Sequence, residues 1–167
     1  DLSAGTEITT WDDHEDFVTS VSFSPDDSLL ASGSWDGTVR IRRIADGATV
    51  HVLETDERVN DLAWSPDGGL LAVAEGLLVH PGTVTIWDTG SWTPVTTIDG
   101  MDREVTGVMF SPDGRFLAAA WGRGSLVIRD MLAGRVLHRL DRVAHDQVMD
   151  MAFNPMNPCQ LVTVSVN

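Results

Sequence analysis

One pattern recurs along the chain and constrains it more than any other feature. An aromatic residue leading into a proline turn stands at Phe23-Ser-Pro-Asp, Trp64-Ser-Pro-Asp, Phe110-Ser-Pro-Asp and Phe153-Asn-Pro, at spacings of 41, 46 and 43 residues. A valine precedes each aromatic by five residues, at Val18, Val59, Val105 and Val148. A leucine follows the first three by seven, at Leu30, Leu71 and Leu117. A period of about 40 to 45 residues with four short strands per unit is the signature of a β-propeller blade, which buries its faces against its neighbours.

The best-kept copy, Phe23 to Ile41, shows why each unit folds as a meander. Pro25 presets φ for the second turn position, and Ser24 and Asp26 can hydrogen-bond the nearby backbone. Leu29-Leu30-Ala31 opens an apolar strand, Asp36-Gly37 supplies a second tight turn, and Thr38, Val39 and Ile41 are strand formers. The same reading predicts inner strands over 17–24, 28–34 and 38–44, then 58–65, 69–75 and 82–88, then 104–111, 115–121 and 124–130, and finally 147–154 and 160–166. Outer strands are expected at Thr49 to Leu53, Pro94 to Ile98 and Arg135 to Leu140. Glu7 to Trp11 reads as the outer strand of a preceding unit. The expected fold is all-β, a partial propeller of about four blades, three with complete inner meanders. Its repeats fall near 12–53, 54–99, 100–140 and a truncated 141–167, with 1–11 belonging to the preceding unit.

Composition narrows the function classes. Apolar residues make up 43% and charged residues 22% of the 167, which fits a packed globular chain. The formal charge of −14 argues against a nucleic-acid backbone or anionic membrane as partner and permits basic ones. Cys159 is the single cysteine, which excludes an internal disulfide and fits a reducing, cytoplasmic setting. No apolar run approaches the roughly 20 residues of a membrane-spanning helix, so no membrane insertion is expected.

The stretches SPDDSLLASGSWDGTVRI, SPDGGLLAVAEG…GTVTIWD and SPDGRFLAAAWGRGSLVIRD resemble WD40 repeats, and the resemblance covers essentially the whole chain. In that family a His before the first strand, a Ser or Thr in the second, an Asp in the next turn and a Trp in the third form a buried hydrogen-bonded set. The resemblance assigns this structural role to His14, Ser32 or Ser34, and Asp36, with Arg42 where the Trp would stand. The second repeat keeps Trp87 but has Thr55 at the His position and Pro81 at the turn Asp. The third has Met101, Arg123 and Arg129, and the fourth has His145. His14, Ser34 and Asp36 also spell a nucleophilic triad, which is rejected because they match the repeat and no G-x-S-x-G elbow accompanies them.

No metal or cofactor is expected. The acidic run Asp12, Asp13, Glu15, Asp16 lacks the spacing and glycine of a calcium loop and reads as a solvated loop. The histidines lack zinc-ligand spacing. Gly122-Arg123-Gly124 precedes a strand rather than a helix, so it is no phosphate loop.

In WD40 repeats the narrow top face carries most partner contacts. The resemblance carries this over to Phe17, Thr19 and Trp35 in the first repeat and to Arg58, Asn60 and His80 in the second. In the third it gives Glu104, Thr106 and Gly122, and in the fourth Gln147 and Met149. Phe17 and Trp35 weigh most, since an exposed aromatic is the usual interface anchor. The second repeat also carries a four-residue insertion containing Leu77, Leu78 and Val79. It either docks a partner or neighbouring segment, or packs as an extended hairpin on its own blade.

The expected function is a non-catalytic protein–protein interaction scaffold, a WD40 propeller segment within a larger chain or multiprotein assembly. The rival is the sensor or regulatory propeller of a multidomain enzyme. Because the fourth unit lacks a third strand, the native chain is expected to continue beyond Asn167.

Overall fold

The computed structural model describes residues 2–78, 80–143 and 147–165. Blade 1 is β1 (Val18–Phe23), β2 (Leu29–Ser34), β3 (Thr38–Arg43) and β4 (Thr49–Glu54). Blade 2 is β5 (Val59–Trp64), β6 (Leu70–Glu75), β7 (Thr83–Asp88) and β8 (Thr93–Ile98). Blade 3 is β9 (Val105–Phe110), β10 (Phe116–Trp121), β11 (Ser125–Asp130) and β12 (Arg135–Leu140), and the fourth unit pairs β13 (Val148–Asn154) with β14 (Asn157–Ser165). Each is an antiparallel meander in which strands pair in chain order. Among the described residues there is no helix, and so none long and apolar enough to cross a membrane.

The Ser-Pro-Asp turns work by one mechanism in three copies. Ser24 Oγ donates to Asp26 Oδ1 at 2.6 Å and accepts from the Leu29 N–H at 2.9 Å. Ser65 does the same with Asp67 and Leu70, and Ser111 with Asp113 and Phe116. Each serine is buried, so its hydroxyl closes the turn and satisfies the first amide of the next strand. The residue after the aspartate turns left-handed: Gly68 and Gly114 hold φ of 74° and 72°, and Asp27 holds 58° without a glycine. Aspartate is among the few side chains that tolerate this region.

Packing runs from blade to blade. One apolar cluster joins Ala31, Val39 and Ile41 of blade 1 to Val59, Leu62 and Trp64 of blade 2. A second joins Ala72, Val84 and Ile86 of blade 2 to Val105, Val108 and Phe110 of blade 3, and a third links Ala120 and Leu126 to Val148. The first strands therefore record whether a preceding blade is present. Val59, Leu62 and Trp64 are 0%, 5% and 9% exposed, whereas their blade 1 counterparts Val18, Val21 and Phe23 are 50%, 64% and 59% exposed. The same residue types at the same register change environment because nothing described lies over blade 1. Among the described residues the sheets do not close into a ring.

Two sequence expectations are corrected. Glu7 to Trp11 forms no strand. Its β-forming run loses to a tertiary contact: the Trp11 Nε1–H donates to the Gly47 carbonyl at 3.2 Å, and the Arg42 guanidinium lies 5.2 Å over the Trp11 ring. The leading segment is thereby folded onto blade 1 itself. The acidic run is not simply solvated either, because Asp13 is ion-paired to both Arg42 and Arg40.

Candidate docking face

The buried polar set of blade 1 anchors one side of the face. His14 Nδ1 lies 2.9 Å from Asp36 Oδ2, and Nε2 lies 2.9 Å from Ser32 Oγ. The tautomer that satisfies every group puts the proton on Nδ1, so that Ser32 donates to Nε2. Ser32 in turn accepts from Arg42 Nη1 at 2.7 Å. Arg42, 1% exposed, thus occupies the place of the family's tryptophan and donates from it, with its charge matched by Asp13. Ser34 stands apart: it donates to the Asp16 carbonyl and accepts from the Asp36 N–H. Burial opposes ionisation of Asp36, but hydrogen bonds from Thr38, the Glu15 N–H and His14 outweigh it and hold the carboxyl well below the usual carboxylate range.

The other blades solve the same positions without this network. In blade 2 the Ser32 position is Val73, so the buried indole N–H of Trp87 finds no acceptor and Trp87 serves by packing against the core of blades 1 and 2. Thr55, at the His14 position, instead donates to the Gly37 and Glu57 carbonyls, tying the two blades. In blade 3 the positions of His14 and Ser32 are Met101 and Ala119, both within the apolar core. Replacing both partners of a buried polar pair by apolar groups leaves nothing unsatisfied. His145 lies outside the described residues.

Residues expected to contact partners divide into clasps and lining. Thr19 Oγ1 donates to the Val59 carbonyl of the next blade at 2.7 Å and to Gly33 of its own. Asn60 Nδ2 repeats this one blade on, donating to the Val105 and Gly76 carbonyls, both at 3.0 Å. Thr106 reaches the Ala120 carbonyl. Thr19 and Asn60, at the first-strand position after the valine, thus join neighbouring blades, whereas the Thr106 bond stays within blade 3.

Around the clasps lies a hollow of about 350 Å³. Thr19, Trp35, Arg58, Asn60, Leu77, Leu78, Glu104, Thr106 and Gln147 line it. The Arg58 guanidinium lies 4.7 Å over the Trp35 ring, and Phe17, exposed, meets that ring edge-on at 5.3 Å from outside the hollow. His80 is exposed, does not line the hollow, and lies 3.6 Å from Glu57. Gly122 is buried, its N–H donating to the Glu104 carbonyl. Met149 faces a neighbouring hollow of about 430 Å³ shared with Asp61 and Asp150.

The insertion is held by its glycines. A Cβ on Gly76, whose φ is 144°, would lie 2.7 Å from Glu104 Cα, and one on Gly82 would lie 2.6 Å from the Val105 nitrogen. Both ends therefore press against the lead-in to blade 3, where Gly82 donates to the Arg103 carbonyl. At the apex Leu77 is half-buried and Leu78 is 70% exposed. Val79 lies outside the described residues.

Asp61 escaped the sequence reading. It accepts from Ser20 Oγ of blade 1, from its neighbour Leu62 N–H, and from the Val108 N–H of blade 3. Burial pushes its carboxyl up against those hydrogen bonds, and the nearby Asp150 adds to the rise. The signal was a carboxylate two residues after a first-strand valine, in an otherwise packed strand.

Stacked four-stranded antiparallel blades closed by Ser-Pro-Asp turns define a WD-repeat β-propeller architecture. Residues 5–42 and 47–88 match the family described as WD domain, G-beta repeat, and residues 77–156 match the Anaphase-promoting complex subunit 4 WD40 domain. The chain belongs to the WD40-repeat family. It is similar to WD repeat-containing protein VIP3 of Arabidopsis thaliana, 29% identical over 156 residues that cover 84% of this chain and 47% of the relative. It is 30% identical over 161 residues to Eukaryotic translation initiation factor 3 subunit I of Emericella nidulans, covering 90% and 48%. With WD repeat and HMG-box DNA-binding protein 1 of Xenopus laevis it shares 32% identity over 157 residues, covering 87% and 14%. The chain spans about half the length of the first two relatives.

Proposed function

We propose that the chain is a non-catalytic protein–protein interaction scaffold, a propeller segment acting within a larger chain or multiprotein assembly in the cytoplasm. One observation carries this reading: residues from all four units, with the apolar apex of the insertion, converge on a single open hollow on one face. Hollows with apolar walls and a few polar groups are the usual form of a binding site. One relative is named as a subunit of a translation initiation factor, which accords with work inside an assembly. The exposed Val18, Val21 and Phe23 support a further sheet seated on blade 1 within that larger whole. Nucleic acid is disfavoured as a direct partner by the charge of −14.

A photo-crosslinking residue placed at Leu78, compared with one at Val95 on the outer strand of blade 2, tests the reading in cells. Crosslinks to discrete proteins from Leu78 and none from Val95 are expected. Equal labelling from both positions contradicts a docking face.

A further inference from the structure

We infer that the hollow accepts a lysine or arginine side chain from an extended, basic segment of a partner polypeptide, with Glu104 as its counter-ion. The inference rests on the docking reading above and names the chemistry of the occupant. Glu104 Oε2 is buried and accepts no hydrogen bond. A buried carboxylate oxygen left unmatched is costly, and a cation reaching it from outside removes that cost. The nearby cations are committed elsewhere: Arg58 stacks on Trp35, and Arg103 Nη1 donates to the Leu78 carbonyl. Among the described residues Glu104 forms no ion pair.

The walls suit the stem of such a side chain. Leu77, Leu78 and the Trp35 ring offer apolar surface along which the methylenes of lysine or arginine lie while the head group reaches the carboxylate. The Trp35 Nε1–H is also buried without an acceptor. Both residues line the hollow, so an unpartnered donor and an unpartnered acceptor lie beside it, and a peptide brings a carbonyl and a cation together. At longer range, 25 acidic against 11 basic residues give the chain a field that draws a basic segment in.

The test titrates the chain with pentapeptide mixtures of randomised flanks whose central residue is fixed as arginine, lysine, citrulline or glutamate. The readout is the Trp35 indole N–H resonance, assigned by its loss in Trp35→Phe. Arginine and lysine mixtures are expected to shift it saturably and citrulline and glutamate not. Glu104→Gln should weaken the arginine mixture about tenfold or more and bring it level with citrulline. Glu54→Gln, an exposed acid on the outer strand β4, should leave the affinity unchanged. Should Glu104→Gln fail to fold, the arginine–citrulline comparison in the unaltered chain decides alone. Citrulline binding as tightly as arginine overturns the inference and leaves the docking face standing. Silence from all four mixtures overturns both.

Discussion

At the scale of single residues, Arg42 shows how a repeat tolerates loss of a signature side chain. The tryptophan of the family pattern supplies one N–H donor on a flat apolar body. Arg42 supplies the donor to Ser32 but brings a charge, which Asp13 neutralises under the cover of Trp11. Removing one partner of a buried, hydrogen-bonded charge is expensive, so Arg42→Ala should lower stability by about 3–5 kcal/mol. Arg42→Trp restores an indole donor and should cost less than half as much. Urea unfolding of the two variants checks the order. Asp36 predicts the acid limb of stability. Its folded carboxyl titrates below its unfolded value of about 3.9, so its contribution is present above that pH and is lost as pH falls through the folded value. Asp36→Asn should therefore show a flatter loss of stability than the unaltered chain below about pH 4, as followed by pH-dependent denaturation.

At the scale of elements, the insertion between β6 and β7 is a rigid stem with an exposed apex. Gly82→Ala forces a Cβ to within 2.6 Å of the Val105 nitrogen, which should cost at least about 2 kcal/mol and loosen the lead-in to blade 3. Leu78→Ser, at the apex, should change stability by no more than about 0.5 kcal/mol. Thermal melts of the two variants separate stem from apex. What was legible in the sequence follows the same division. The fourteen strands among the described residues and the Ser-Pro-Asp turns were readable because their causes lie within a few residues: a proline φ, a serine cap, alternating apolar positions. Glu7 to Trp11 was misread because Ile8, Thr9 and Thr10 favour a strand locally while Trp11 answers to Gly47 and Arg42, some thirty residues away. The clasps were missed for a related reason. Nothing near Thr19 or Asn60 in sequence says that the carbonyl each needs is 40 or 45 residues further on. The convergence of Trp35, Leu77 and Glu104 on one hollow likewise exists only after the blades stack.

At the scale of the whole molecule, stability is a sum of blade-to-blade interfaces, and blade 1 shows what an uncovered interface looks like. Leu62→Ser and Trp64→Ser, within a covered interface, should each lower stability by about 3–5 kcal/mol. Val21→Ser and Phe23→Ser, at the same register on blade 1, should each cost under about 1 kcal/mol and reduce self-association of the chain. Equal costs at both registers would mean that another sheet already covers blade 1 in solution. The central claim is that the loop face is where this chain meets other proteins. Hydrogen–deuterium exchange of the chain free and bound to the partner crosslinked from Leu78 tests it most directly. The account predicts new protection at Trp35, at Arg58 to Asn60, at Leu77 and Leu78 and at Glu104 to Thr106, with the outer strands β4, β8 and β12 unchanged. Protection confined to those outer strands would contradict it.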